Sequence, residues 1–258
     1  MSQINAPDGT LLTYDAYEPE RSDIAVLLLH DWHPQAGSIT EAFDKLGNEL
    51  KEWGVSSYFL EQRGHGRSGG RRGHLSRFSQ LLGDLQALRR AVRRRQNVPQ
   101  ILVGHGFGGL VVLRYLETQP GEPPAAAVIA SPWLATRKRP AAWKRVAARL
   151  ADLWPTFPTG RGNGYMTARA RAELVWARRA VLADAQRIER PLLFVLGGAD
   201  RVTDTEVTRR FAGDLGSRAT VEWFPTLAYD LVAHAEVRAP LLRFIAGYRS
   251  FDPAPKNG

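Results

Sequence analysis

Short apolar runs alternate along this chain with stretches of helical period, and that alternation leaves few architectures open. Ile24 to His30 is a continuous apolar run, the pattern of a strand buried on both faces of a parallel sheet. Val55 to Leu60, Ile101 to Val103, Ala125 to Ala130, Leu192 to Leu196 and Thr220 to Phe224 repeat the strand signal. Ile39 to Trp53, Phe78 to Arg95, the stretch carrying Leu110, Val111, Leu113 and Leu116, Glu206 to Leu215 and Val237 to Tyr248 read as helices. Strands alternating with helices predict an α/β fold with a mostly parallel central sheet flanked by helices. Pro7-Asp8-Gly9 predicts a turn between two short strands, an opening hairpin.

One stretch breaks the alternation. Residues 132–190 lie between two strands and contain no strand pattern. They read as a short helical cap inserted into a core made of residues 1–131 and 191–258, with residues 252–258 expected to be a disordered tail. The cap also holds the charge: it has 13 Lys/Arg against 4 Asp/Glu, while the rest of the chain has 22 of each. Four of the seven tryptophans fall in it. The absence of cysteine excludes disulfides, thiolate nucleophiles and Cys-based metal sites. No apolar run approaches the length of a membrane span, and the start MSQINAPDGT lacks a basic-then-apolar signal pattern. A cytoplasmic location, peripheral at the membrane if the cap binds one, is expected.

Four ordered motifs carry a resemblance. Glu61-Gln62-Arg63-Gly64-His65-Gly66-Arg67-Ser68-Gly69-Gly70, followed by Arg72-Gly73-His74, resembles the loop after the fourth strand in monoacylglycerol lipases and bacterial lysophospholipases. Gly104 to Gly109 resembles their nucleophile elbow, Ser131-Pro132 the strand end before their cap, and Gly197 to Val202 the loop that carries their acid. The resemblance, of the serine aminopeptidase S33 type, covers nearly the whole chain apart from a divergent cap. It implies the α/β-hydrolase fold.

The same resemblance implies that the chemistry has changed. The elbow of such enzymes reads G-x-S-x-G and lifts a serine oxygen to the top of the sheet; here its centre is Gly106, which has no side chain to attack an acyl carbon. The base histidine corresponds to Tyr229, and a phenol with a pKa near about 10 cannot do an imidazole's work near neutral pH. Asp200 matches the acid. The oxyanion hole corresponds to the backbone N–H groups of Trp32 and Phe107, and Asp31 brings a carboxylate close to it unless its side chain turns away. His105 and His234 remain as pocket candidates, His234 standing five residues beyond the base position. His30, Asp31 and His33 offer no clear fourth ligand, so no metal is expected, nor any other cofactor.

Three functions remain open at this point. The first is a degenerate hydrolase, its nucleophile and base lost, that binds a hydrophobic ligand, an anionic membrane or an acidic protein. The second is an enzyme of another class on the same scaffold, such as a lyase, cyclase or cofactor-free oxygenase. The third is a residual or rewired carboxylester or monoacylglycerol hydrolase that swings in His234. Arg137, Lys138, Arg139, Lys144 and Arg145 form the basic cluster that would meet a membrane or acidic partner. Nucleic acid is not expected, since the basic residues interleave with alanine rather than stacking aromatics. Pro140 is expected to start a cap helix whose apolar face, Trp143, Val146, Leu150 and Leu153 or Trp154, packs on the core, with a second helix at about 166–188.

Overall fold

Side-chain alternation along the strands divides the core in two. In β3 (Ala25–Leu29) Ala25, Leu27 and Leu29 join one hydrophobic cluster, while Val26 and Leu28 join the other, because successive strand residues point to opposite faces. Each fully buried Leu or Val side chain contributes about 1.5–3 kcal/mol, so a strand apolar at every position is stable only between two covering layers. The computed structural model describes residues 1–32, 38–118, 121–137, 141–159 and 165–249, and not the side chains of 38–40, 145 and 148. The expected disordered tail lies outside the described residues.

The opening hairpin is β1 (Ser2–Asn5) and β2 (Leu11–Tyr17), paired antiparallel with Ser2 opposite Tyr14. β2 pairs antiparallel with β4 (Ser56–Glu61). From there β3, β4, β5 (Gln100–His105), β6 (Ala126–Ala130), β7 (Leu192–Gly197) and β8 (Ala219–Phe224) run parallel. The eight-stranded order is β1-β2-β4-β3-β5-β6-β7-β8. β5 is longer than Ile101 to Val103 because Gly104 and His105 continue the ladder opposite Ile129 and Ala130.

α1 (Ser38–Glu52) and a last helix cover one face of the sheet through Phe43, Leu46, Leu50, Leu241 and Ile245. On the other face lie α2 (Ser79–Arg95), with Leu81, Leu85, Leu88 and Val92 turned inward at helical spacing, and α3 (Phe107–Thr118). Between β6 and β7 come α4 (Ala142–Arg149) and α5 (Ala168–Ala183). α6 (Thr205–Asp214) and α7 (Arg238–Ala246) follow β7 and β8. Among the described residues no helix is long and apolar enough to cross a membrane.

The segment between β6 and β7 departs from expectation in two ways. α4 stops at Arg149, with Leu150 already outside helical geometry, and the chain continues in turns to Phe157. α5 ends at Ala183, and a tighter turn carries the chain to Ile188. More important, the apolar line of α4 does not pack on the core. Trp143, Val146, Leu150, Leu153 and Trp154 are all exposed, while Ala151 is buried. The core position over α3 is taken by Leu174, Ala177 and Val181 of α5. Pro140, Lys138 and Arg139 lie outside the described residues.

The hairpin is tied down electrostatically. Arg63 donates to Asp84 of α2 through Nε and Nη2, both at 2.6 Å, and to Asp8 in the hairpin turn through Nη1 at 2.7 Å. The Arg63 guanidinium holds the Asp8 carboxyl well below the usual carboxylate range. A depressed folded-state pKa means that the stabilisation is present above the unfolded value, about 3.9, and is lost as pH falls below it. Asp8→Asn is therefore expected to lower the thermal midpoint at neutral pH, with the gap to wild type closing in acid. A gap independent of pH would show that Asp8 acts through its turn geometry and not its charge.

Candidate functional site

The elbow is built from backbone before any side chain matters. β5 leads through His105 into Gly106, and α3 starts at Phe107. Gly106 sits at φ 56, the left-handed conformation of a sharp strand-to-helix turn. Its N–H continues the sheet to the Ala130 carbonyl at 2.9 Å, and its carbonyl accepts from Leu110 at 3.3 Å and Trp133 at 3.0 Å. The close approach needs Gly104, where a Cβ would stand 2.5 Å from the Gly108 carbonyl oxygen.

The side of Gly106 where a side chain would project is occupied. A Cβ there would overlap the Tyr229 hydroxyl and the Asp31 carboxylate, closer than real Cβ atoms approach anything. Those two groups are bonded to each other, the Tyr229 hydroxyl donating to Asp31 Oδ2 at 2.5 Å. Asp31 Oδ1 accepts the Phe107 N–H at 2.7 Å. The Asp31 side chain thus turns inward, onto one of the two amides that the resemblance assigns to the oxyanion hole. Burial, and then the charge of Asp31, push the Tyr229 hydroxyl well above its ordinary pKa.

Two residues that the sequence did not single out complete the network. Trp133 Nε1 donates to the Tyr229 hydroxyl at 2.6 Å. Arg178 of α5 donates from Nε to the Trp133 carbonyl at 2.5 Å and lies over the Trp133 ring, 5.6 Å from its centre. Burial, and then the neighbouring Arg171 charge, pull the Arg178 guanidinium down to about 10. Most arginines stand in water, and Arg178 departs from that rule. Its only sequence signal is its place on α5 one residue after the buried Ala177, which brings its stem to the core side. Trp133 directly follows Ser131-Pro132, and that adjacency was the available clue.

The remaining candidates have structural partners. Trp32 is buried, with its ring 5.0 Å from both Phe107 and His65 and its Nε1 donating to the Tyr165 carbonyl at 3.1 Å. His105 Nε2 lies 2.9 Å from the Tyr229 carbonyl, to which it must donate, and its ring packs on Tyr229 at 4.7 Å. Asp200 is fully buried and accepts from Val202 N–H at 2.7 Å, Thr203 N–H at 2.9 Å and Thr203 Oγ1 at 2.5 Å. It closes its own loop, while the Tyr229 hydroxyl goes to Asp31. His234 is on the surface with its side chain 40% exposed, 4.0 Å from Glu236. Ser131, strained at φ 41 and buried, has no hydrogen-bond partner for its hydroxyl among the described residues; a nucleophile needs a base within about 3.2 Å. His30 Nε2 accepts from Gln62 N–H at 3.0 Å, so its Nδ1 carries the proton donated to the Asp31 carbonyl at 2.5 Å. His33 lies outside the described residues.

The arrangement places the Asp31 side chain on the Phe107 N–H, one of the two amides that the resemblance assigns to the oxyanion hole. Donors accelerate acyl transfer when they are preorganised toward the position where negative charge develops. The Phe107 N–H is already paired with the Asp31 side chain. Phe78, Phe107, Trp32 and Trp133 pack around the same point, with neighbouring ring centres 5.0–6.1 Å apart.

The chain is similar to known proteins in sequence and in fold. A family model described as serine aminopeptidase, S33 matches residues 22–164 and 161–235. The chain is 34% identical to a monoacylglycerol lipase of Mycolicibacterium smegmatis over 116 residues, which is 44% of this chain and 40% of that protein. It is 30% identical over 133 residues to an uncharacterized abhydrolase domain-containing protein of Dictyostelium discoideum, 51% of this chain and 14% of that one. The chain therefore matches less than half the length of either curated relative. The crystal structure of a monoacylglycerol lipase from Paleococcus ferrophilus is similar at a TM-score of 0.77 and 23% identity, over 92% of this chain and 97% of that one. A soluble variant of monoglyceride lipase from Saccharomyces cerevisiae, in complex with a substrate analog, gives 0.80 at 16% identity, over 97% of this chain and 95% of that one. These structures share the α/β-hydrolase fold with this chain.

Proposed function

This chain belongs to the serine aminopeptidase S33 family of α/β-hydrolase-fold proteins, and on that premise we propose that it is a lipase- and esterase-like member without hydrolytic activity. It acts instead as a binding or accessory protein for a hydrophobic ligand, an anionic membrane or a protein partner. The reading rests on one observation: the Tyr229 hydroxyl and the Asp31 carboxylate fill the space above Gly106, and Asp31 takes the Phe107 N–H. The elbow keeps its backbone shape but presents neither a nucleophile nor a free oxyanion donor on that side. The alternatives are less well supported. An enzyme of another class would need an available acid or base, and Asp31, His105, Asp200 and Tyr229 all hold internal bonds. A rewired esterase would need His234 inside, and it stands on the surface with its side chain 40% exposed.

Covalent labelling tests the reading directly. The purified protein is expected to form no adduct with a fluorophosphonate probe, by intact mass. It is also expected to hydrolyse short and medium acyl esters and monoacylglycerols no faster than buffer. Enzymes stripped of triad members keep only weak residual catalysis from binding and the oxyanion hole, and here the hole is filled as well. A labelled serine, or turnover that falls on Asp200→Asn, would overturn the proposal.

A further inference from the structure

α5 carries two arginines that the fold turns inward without a counter-ion. Arg171 and Arg178 stand about two helical turns apart, so they share one face of the helix. Arg169 of the same helix pairs with Asp152 and Glu173. Arg171 and Arg178 have no acid partner among the described residues. Each uses its Nε on a neutral oxygen: Arg171 donates to Thr159 Oγ1 at 2.9 Å, and Arg178 to the Trp133 carbonyl at 2.5 Å. The Nη1 and Nη2 groups of both, the prongs of each guanidinium fork, find no acceptor among the described residues.

That arrangement is costly while nothing is bound. Burial pulls both guanidiniums below their ordinary pKa, and the Arg171 charge adds to the pull on Arg178, so the two like charges act on each other. Charged groups taken out of water are normally paired with an opposite charge. Asp31 also bears on Arg178, but its side-chain oxygens accept from the Phe107 N–H and the Tyr229 hydroxyl. Both arginines are half-buried and not sealed, so a ligand can reach their forks. Guanidinium forks match the paired oxygens of a carboxylate or phosphate.

We propose that Arg171 and Arg178 hold the anionic head, a carboxylate or a phosphate, of a small-molecule ligand. This rests on the reading of the chain as a binding protein, and it makes the ligand an acid and not a neutral ester. Trp133 sets the site beside the elbow, since Arg178 lies over its ring and its Nε1 donates to the Tyr229 hydroxyl.

The test is calorimetric titration of the full chain with decanoate, decyl phosphate, inorganic phosphate and neutral decanol. Decanoate and decyl phosphate are expected to bind at least about tenfold more tightly than decanol, because hydrogen bonds to a charged partner are the strong ones. Arg171→Gln and Arg178→Gln should each weaken both anions at least about tenfold and leave decanol unchanged. Arg171→Lys keeps the charge without the fork and should recover only part of the loss. Inorganic phosphate bound as tightly as decyl phosphate would assign the forks to a free anion, and weaker binding would assign them to the head of an amphiphile; both outcomes keep the site. Removing one of two like charges should leave the thermal midpoint of the free protein unchanged or higher in Arg171→Gln. Anions bound no better than decanol, or bound undiminished by either variant, would overturn the proposal, and a lowered midpoint with undiminished binding would make the arginines structural. Arg171→Gln alone decides the matter if Arg178→Gln fails to fold. The two readings fail separately: a fluorophosphonate-labelled serine removes the loss of hydrolysis and leaves this site standing, while anions that do not bind leave the elbow without a nucleophile.

Discussion

Gly106→Ser by itself is expected to give no ester hydrolysis and to lower the thermal midpoint by about 6–30 °C. The new Cβ would overlap the Tyr229 hydroxyl and Asp31 carboxylate, and both are held, Tyr229 by Trp133 and Asp31 by the Phe107 N–H. Displacing either breaks buried hydrogen bonds worth about 1–3 kcal/mol each, and a side chain at φ 56 adds about 1–2 kcal/mol of backbone strain. With two such bonds the sum, about 3–8 kcal/mol, corresponds to that midpoint shift for a chain of this size.

Adding Tyr229→His and Asp31→Gly should reverse both effects. The first supplies a base and removes the hydroxyl that blocks the serine. The second clears the carboxylate and frees the Phe107 N–H as an oxyanion donor. The triple variant should hydrolyse medium-chain acyl esters at least about a hundredfold faster than any single or double variant, because one oxyanion donor alone is worth about 10²–10³ and the groups act as a unit. It should also take a fluorophosphonate label that the single serine variant does not. A single variant as active as the triple one would mean that Tyr229 does not stand in the base position and that the space above residue 106 opens on its own.

The fold was legible because burial on two faces leaves a mark that composition cannot hide: β3 is apolar throughout and lies inside throughout. The positions of Gly106, Asp31 and Tyr229 were legible because motifs at fixed places along a strand end or loop carry their location with them. What the sequence withheld were choices between faces. Asp31 could point toward the elbow or away, and only a contact 76 residues along the chain, with Phe107 N–H, decides it. Trp143, Val146 and Leu150 have core spacing, yet spacing does not reveal that Leu174, Ala177 and Val181 of α5 already fill the core. Arg178 carries no mark of its role in the sequence, because arginine is usually solvated. Its Nε needs an acceptor, and the Trp133 carbonyl, 45 residues away, provides it.

Tyr229→Phe isolates the network itself and should cost about 2–6 kcal/mol at neutral pH. Removing the hydroxyl leaves Asp31 Oδ2 without its donor and Trp133 Nε1 without its acceptor, and each buried group stranded in this way costs about 1–3 kcal/mol. The ring remains, so packing on His105 is kept. The pH dependence gives a second readout. The folded-state pKa of Tyr229 is raised by burial and by Asp31. A raised value means that the stabilisation is full below the unfolded pKa, about 10, and declines as pH rises beyond it toward the folded value. An ionised phenolate would stand against the Asp31 carboxylate, so the network that stabilises the fold at neutral pH turns against it in alkali. The difference in unfolding free energy between wild type and Tyr229→Phe should thus be constant from neutral pH to about 10 and shrink above it. Tyr17, Tyr58 and Tyr248, whose pKa values burial also raises, titrate in both proteins and cancel in that difference. A gap that stays unchanged well above pH 10 would show that the hydroxyl does not carry a buried, Asp31-facing proton.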